Sequence, residues 1–414
     1  MALHPNIKIR LLTSFISRFV GNMVFPFMAI YFAKEFGTAT AGFLLLINVI
    51  VSLITSFFGG YVSDRFGRKR VMILAQAIQI IAFSIMASAN SPWLTSSVMT
   101  FAMMVMQSIS SGLMNPAAEA MLIDVSTKEN RQFMYSVNYW SVNLSIAAGS
   151  IIGGLYFNSH RFALFVILAL TSVFIFMLLA LFMKESRHEQ TSRTKTTTAL
   201  QLIRDMGKSY QIVITDRRFL IFCLAHLLIV SLEFQMNNYI AIRLARDFHS
   251  LILGYSVDGL KLLSWLRVEN TVLIVFFTLL VNQWMKRYQS NRVLFIGLIL
   301  YISGYVTLGF SNLWYLLFFM IIVSSLGELM YVPICQTMMA SMAQESVRGS
   351  YMAVYGLVFQ GAKIMGSLGV IIGAFLPSLS MATLYLILGI SGIYCFYRSI
   401  RMVHEPIDSL GAES

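Results

Sequence analysis

Gly60-Tyr61-Val62-Ser63-Asp64-Arg65-Phe66-Gly67-Arg68-Lys69-Arg70 is a short charged passage between two apolar runs, 42–62 and 71–89. Each run is close to the roughly 20 apolar residues that a helix needs to cross a bilayer. A chain that turns within a few charged residues and becomes apolar again is leaving lipid on one face and re-entering it. The local chemistry suits such a turn. Gly67 tolerates a tight backbone turn, and Gly60 lets the preceding span approach a neighbour closely. Asp64 sits beside the positive end of the following helix and the arginines Arg65 and Arg68, which keep it ionised.

Outward from this turn, apolar runs recur at 11–33, 42–62, 71–89, 94–118, 132–157 and 162–183, then at 219–242, 268–285, 292–310, 313–333, 349–376 and 380–397. The pattern predicts an all-α integral membrane protein with twelve transmembrane helices. A six-helix bundle occupies 1–183, and a linker rich in Thr, Ser, Lys and Arg occupies 184–218, with a short amphipathic helix around 200–212. A second six-helix bundle with a short tail fills 219–414. Composition agrees: 12% of residues are charged and 57% hydrophobic, against about 25% charged in a soluble domain. Seven prolines and 26 glycines in 414 residues exclude a collagen-like or low-complexity chain. The first apolar run continues as a full span with no small-residue cleavage site, so no removable leader is expected.

The net charge of +12 would suggest nucleic acid in a soluble protein. Here 22 of the 30 Lys and Arg residues fall on the face that carries both termini, six on the other, and two, Arg18 and Lys363, inside spans. Cytoplasmic loops collect basic residues. Both termini are therefore expected in the cytoplasm of a bacterial cell membrane, with the bilayer and no nucleic acid as partner. Cys223, Cys335 and Cys395 lie in apolar runs without metal-ligand spacing. No metal is expected.

The two halves repeat at an offset of 217: Pro116 falls on Pro333, Met121 on Met338, Arg131 on Arg348, Gly149-Ser150 on Gly366-Ser367, and Lys69-Arg70 on Lys286-Arg287. Parallel pseudo-symmetric halves are a transporter architecture, with the binding site near the midplane.

The G-x-x-x-D-R-x-G-R-[KR] turn between spans 2 and 3 of twelve resembles the signature of the major facilitator superfamily, which implies the major facilitator fold. In that superfamily the Asp holds the cytoplasmic side closed in the outward-facing state. The resemblance makes Asp64 a gate residue, with Arg348 as its partner and Arg65, Arg68, Asp124 and Arg131 around it. In span 5, Gly149-Ser150-Ile151-Ile152-Gly153-Gly154 is similar to the G-P-x-x-G-G element of drug:proton antiporters, with Ser150 in place of proline. Small-residue helix packing explains the same glycines.

A resemblance over nearly the whole chain runs to LmrP-type multidrug/proton antiporters. It rests on Ala120-Met121-Leu122-Ile123-Asp124, Glu129-Asn130-Arg131, Asn138-Tyr139-Trp140, Asn143-Leu144-Ser145, Leu326-Gly327-Glu328, Tyr331, Pro333 and Gln336-Thr337. Asn138 and Asn237 stand where that family carries Asp, and Asn cannot titrate. Fewer protons are then coupled, or Glu233 substitutes, or the substrates are less cationic.

An ionisable group at mid-bilayer costs about 2.5–3.5 kcal/mol on insertion scales, so it marks a pathway or a paired site. Glu328 in span 10 has no basic residue within a helical turn, and it matches the Glu implicated in proton coupling by the resemblance. Glu233 opens a polar stripe with Gln235, Asn237 and Asn238. Arg18 suits a salt bridge or an anionic substrate group, and Lys363 is long enough to reach water. Glu269 is expected to face water, and His226 to be a hydrogen-bonded core residue. Tyr139, Trp140, Phe234, Tyr331 and Tyr355 are candidate walls of an adaptable apolar cavity.

These features favour a proton-coupled exporter of small amphipathic or drug-like compounds, monomeric and without a cofactor. A lipid or glycolipid flippase and a nutrient symporter share the fold. An intramembrane enzyme or receptor is disfavoured, because H-E-x-x-H, G-x-S-x-G and G-x-x-x-x-G-K-[ST] are all absent.

Overall fold

The computed structural model describes residues 4–126, 128–185, 211–252, 254–285, 287–343 and 348–402. Most of the expected amphipathic helix at 200–212 lies outside them. The helices are α1 (Pro5–Asn22), α2 (Met28–Phe36), α3 (Thr38–Phe66), α4 (Arg68–Ser88), α5 (Ser97–Val125), α6 (Lys128–Tyr156) and α7 (Arg161–Phe182). They continue as α8 (Arg217–Met236), α9 (Tyr239–Asp247), α10 (Gly259–Met285), α11 (Ser290–Phe310), α12 (Trp314–Met342), α13 (Arg348–Gly373) and α14 (Ser378–Arg401). Two hairpins, β1 (Asn90–Ser91) with β2 (Leu94–Thr95) and β3 (His249–Ile252) with β4 (Tyr255–Asp258), close loops. Among the described residues, ten helical segments are long and apolar enough to cross a membrane. The other two expected spans, 5 and 8, are the helices α6 and α10, of 29 and 27 residues. They carry Lys128, Glu129 and Arg131, or Lys261, Arg267 and Glu269.

Local chemistry sets the helix ends. Pro5 opens α1 at a first-turn position, where a missing N–H costs nothing. The Ser96 hydroxyl accepts the Met99 amide (3.2 Å) and starts α5. Gly67 separates α3 from α4 at φ +95°, a backbone that side chains resist.

Spans 1 and 7 are each broken. The first stops at Asn22, passes through a 3₁₀ turn at Phe25–Phe27 and resumes at Met28, while the second stops at Met236 and resumes at Tyr239. The offset of 217 carries the first break, 23–27, onto 240–244, a few residues past the second at 237–238. Pro116 and Pro333, also equivalent, both lie inside helices.

The chain forms two compact units. The first contains Met1–Ser192, Asn237–Val275 and Ser367–Phe375. Its core joins α4, α5 and α7 through Met72, Ala75, Ala117, Met121, Ile175 and Leu179. Buried polar ties cross that core: the Ser110 hydroxyl donates to the Ala75 carbonyl (2.6 Å) and the Gln76 amide to the Ser172 carbonyl (3.2 Å). α6 lies against α1, where a Cβ at Gly149 would meet Asn22 Cβ at 2.7 Å. Gly153 similarly faces Met23 and Phe27, and Gly154 faces Ser264 of α10. α2 packs on α9, so parts of both sequence halves meet inside this unit. Arg243 of α9, counted with the outer loops by sequence, is only 1% exposed.

Gly60 does not make the expected close approach. A Cβ there would meet open space, whereas one at Gly59 would lie 3.2 Å from Leu113 Cα and closer still to the Gly112 carbonyl. The phase of α3, one residue earlier, decides which glycine faces α5. Gly59→Ala should therefore cost roughly 1–3 kcal/mol, the usual range for overpacking, read as a lower Tm of the detergent-solubilised protein. Gly60→Ala should leave Tm unchanged.

The second unit contains Arg193–Met236, Phe276–Gly366 and Leu376–Ser414. Asp216 starts α8 by accepting the Phe219 amide (3.0 Å) at Oδ1 and the Tyr351 hydroxyl (2.8 Å) at Oδ2. Arg218 Nε donates to the Ser399 carbonyl (3.3 Å), and the Ser399 hydroxyl returns a bond to the Arg218 carbonyl (3.1 Å). These bonds tie α8 to α13 and α14.

Candidate functional site

The second unit brings two carboxylates to one group of tyrosines. α11 and α12 cross at Gly297 and Gly327, where a Cβ on Gly327 would lie 2.5 Å from the Gly297 carbonyl oxygen and the Tyr301 amide. Only hydrogen fits there. The crossing sets Glu328 and Tyr331 of α12 beside Tyr301 and Tyr305 of α11. The Tyr301 ring is 5.0 Å from that of Tyr331 and 4.8 Å from that of Tyr305. All three rings are buried, Tyr301 completely. Each hydroxyl lies in the electrostatic field of both Glu328 and Glu233. Glu233 comes from α8, and it is the more open of the two carboxylates.

Gln235 holds the end of α8 in place. Its amide donates to the Met365 carbonyl (3.1 Å), and its carbonyl accepts the Tyr385 hydroxyl (3.3 Å). The break of span 7 follows, and Asn237 Oδ1 there is buried without a hydrogen bond among the described residues.

An aromatic wall adjoins the tyrosines. His226 stacks on Tyr355 at 5.4 Å and meets Phe359 at 5.8 Å and Tyr331 at 6.5 Å. The expectation of a hydrogen-bonded histidine is corrected: Nδ1 of His226 is buried with no hydrogen bond among the described residues, because aromatic rings surround it. Glu269 is likewise corrected, since its Oε2 is buried rather than facing water. Phe234 and Lys363 are half-buried. Trp140 on α6 is 60% exposed, and Asn138, two residues earlier, is half-buried. The side chain of Tyr139 lies outside the described residues.

The first unit contains a separate charge group. Arg18 Nε donates to the Ser14 hydroxyl (3.3 Å), and both Arg18 and Arg10 feel the carboxylate of Glu119 on α5. Sequence reasoning missed Glu119, because the apolar run of span 4 closes one residue before it. The same unit holds the Gly67 turn, where Arg68 pairs with Asp124. Arg65 leans on Phe66 and donates to the Tyr61 hydroxyl (3.3 Å). The side chains of Asp64, Arg131 and Arg348 lie outside the described residues.

Glu185, at the end of span 6, is a second residue the sequence hid. Its carboxylate accepts the amides of Arg68 (3.0 Å) and Lys69 (3.1 Å), the first turn of α4. A negative charge at a helix N-terminus is stabilised by unpaired amides and the helix dipole. A Cβ on Gly67 would come within 2.9 Å of Glu185 Oε2, so the glycine also makes room for this cap. Asn6 secures the neighbouring residue, donating to the Lys184 carbonyl (2.8 Å) and accepting its amide (3.1 Å). Glu185→Ala should raise hydrogen exchange at the Arg68 and Lys69 amides by about tenfold, the equivalent of 1.4 kcal/mol of lost capping. Glu185→Gln, which keeps an acceptor, should show a smaller rise.

The family model of the Major Facilitator Superfamily matches residues 10–268 and 252–409. The chain belongs to that superfamily. It is a multi-pass membrane transporter and not an enzyme. Among relatives of this superfamily protein is a Na(+), Li(+), K(+)/H(+) antiporter of Planococcus maritimus, 32% identical over 375 residues that make up 88% of each chain. The multidrug resistance protein MdtH of Proteus mirabilis is 24% identical over 82% of this chain and 80% of its own. Among solved structures, a POT family transporter in complex with 5-aminolevulinic acid covers 96% of this chain and 95% of its own, with a TM-score of 0.69 at 16% identity. The nucleoside transporter NupG covers 96% of this chain and 100% of its own, with a TM-score of 0.68 at 14% identity. At such identities the likeness is one of fold.

Proposed function

We propose that this transporter is a proton-coupled antiporter that exports cations, with protons and substrate competing for Glu328 and Glu233. The observation that carries this is the pair of carboxylates acting on the same three buried tyrosines. A charged carboxylate in a membrane-spanning helix is costly. It is relieved by a proton or by a cation, and binding one disfavours the other. That exclusion is the elementary requirement of antiport, and alternating access converts it into exchange. The proton gradient is the driving force, and no cofactor takes part.

Carboxylate and hydroxyl oxygens suit a hard alkali cation. The 32% identity to an alkali cation/proton antiporter supports that substrate class. The class expected from sequence, small amphipathic or drug-like compounds, is the second reading, here in the form of organic cations. The aromatic wall of His226, Tyr355 and Phe359 beside Tyr331 favours it, since ring faces attract organic cations.

Proteoliposomes with an imposed pH gradient and an internal pH dye test both. Addition of sodium, lithium or potassium chloride should collapse the gradient where choline chloride does not. If only lipophilic cations such as ethidium collapse it, the second reading holds. If neither class moves protons, cation/proton antiport is overturned.

A further inference from the structure

The transport proposal leaves unused a cavity of about 570 Å³ in the first unit, lined by the ends of α2, α5 and α7 and the β1–β2 hairpin. Its lining carries two opposite charges, Arg161 and Glu35. The Arg161 guanidinium lies 4.4 Å over the Tyr31 ring and 5.4 Å from that of Phe157. Its Nε is buried and makes no hydrogen bond among the described residues. Arg161 is also the first residue of α7, whose cap residue His160 supplies no side-chain acceptor to the first-turn amides. Arg161 lines the cavity, and an anionic group there would meet its guanidinium and the first-turn amides.

The opposite charge is held in place by the same tyrosine. The Tyr31 hydroxyl donates to the Ser97 hydroxyl (3.0 Å), which donates to Glu35 Oε2 (3.0 Å). Glu35 and Arg161 make no ion pair with each other among the described residues. A cavity with a fixed anion and a fixed cation that do not meet is complementary to a ligand carrying both charges at a separation. Apolar residues adjoin the lining positions Pro92, Thr95 and Ser97 along the chain. Trp93, 76% exposed, touches the Phe162 ring at 5.6 Å, and Leu94, Val98 and Met99 are exposed beside it. Exposed tryptophan next to aliphatic residues at the end of spanning helices marks the lipid–water boundary.

We propose that this cavity binds a phosphate–ammonium zwitterion, the headgroup chemistry of an aminophospholipid, with phosphate on Arg161 and ammonium on Glu35. The acyl chains then run along Val98 and Met99 into the bilayer. These exposed apolar neighbours are what assign a lipid rather than a dissolved zwitterion.

Native mass spectrometry of the full chain, released from nanodiscs of phosphatidylethanolamine, phosphatidylcholine or phosphatidylglycerol, tests the assignment. The unmodified protein should retain one phosphatidylethanolamine at least about tenfold more than either other lipid, a preference of 1.4 kcal/mol. Arg161→Gln should lose retention of phosphatidylethanolamine, and Glu35→Gln should reduce it to the phosphatidylcholine level. Equal retention of all three lipids by the unmodified protein overturns the proposal even if both variants fail to fold. Unchanged retention in folded variants overturns it as well. Displacement of the lipid by soluble phosphoethanolamine at millimolar concentration keeps the zwitterion site and overturns its lipid source.

Discussion

Glu328→Gln should abolish cation-driven proton movement in proteoliposomes, to the leak rate of empty vesicles. The substitution keeps the size and hydrogen-bonding capacity of the side chain and removes only its titration. Loss of a positioned proton-transfer group costs typically 10²–10⁴ in rate, so this is the largest functional effect expected of any single substitution. Binding of substrate is a separate readout. A neutral amide in place of the carboxylate removes the charge that both proton and cation need, so cation binding should weaken along with exchange. Glu233→Gln should leave partial exchange with fewer protons per cycle, because Glu328 still faces Tyr301, Tyr305 and Tyr331. Full exchange in Glu328→Gln would remove that residue from the mechanism and transfer the coupling role to Glu233.

Gly327→Ala should be the most damaging single methyl in the second unit. The added Cβ would stand 2.5 Å from backbone atoms of Gly297 and Tyr301, which have no rotamer by which to yield. Overpacking of this kind costs typically 1–3 kcal/mol, and here it also pushes Glu328 away from the tyrosines. Tm should fall and exchange should fail together. Gly297→Ala, on the other side of the same crossing, should do likewise. A folded Gly327→Ala protein with unchanged exchange would show that the α11–α12 crossing does not position the carboxylate.

Much of this was legible in the sequence because lipid is a demanding solvent. Apolar runs had to be helices, and an ionised group in one of them had to have a use or a partner, which singled out Glu328 and Glu233. What the sequence did not disclose were residues whose role depends on helix phase or on distant chain. Gly59 and Gly60 are adjacent and chemically identical, and only the rotation of α3 makes Gly59 the contact. Tyr301 and Tyr305 looked like two more aromatics among many until α11 was set against α12. Glu119 sat one residue past an apolar run, and Glu185 opened what reads as a charged linker. Its helix-capping role required α7 to return beside α4. Glu269 looked like an end-of-helix charge in water, and burial of its Oε2 shows that the end of an apolar run is not the end of the protein interior.

The broken spans 1 and 7 have a consequence for the repeat. Two halves that share few identities at an offset of 217 both interrupt their first helix, one through Phe25-Pro26-Phe27 and the other at Asn237-Asn238, a few residues apart in the repeat. No residue type is common to the two interruptions, so no shared motif makes them. What the halves have in common is the fracture itself, and each opens it with its own chemistry.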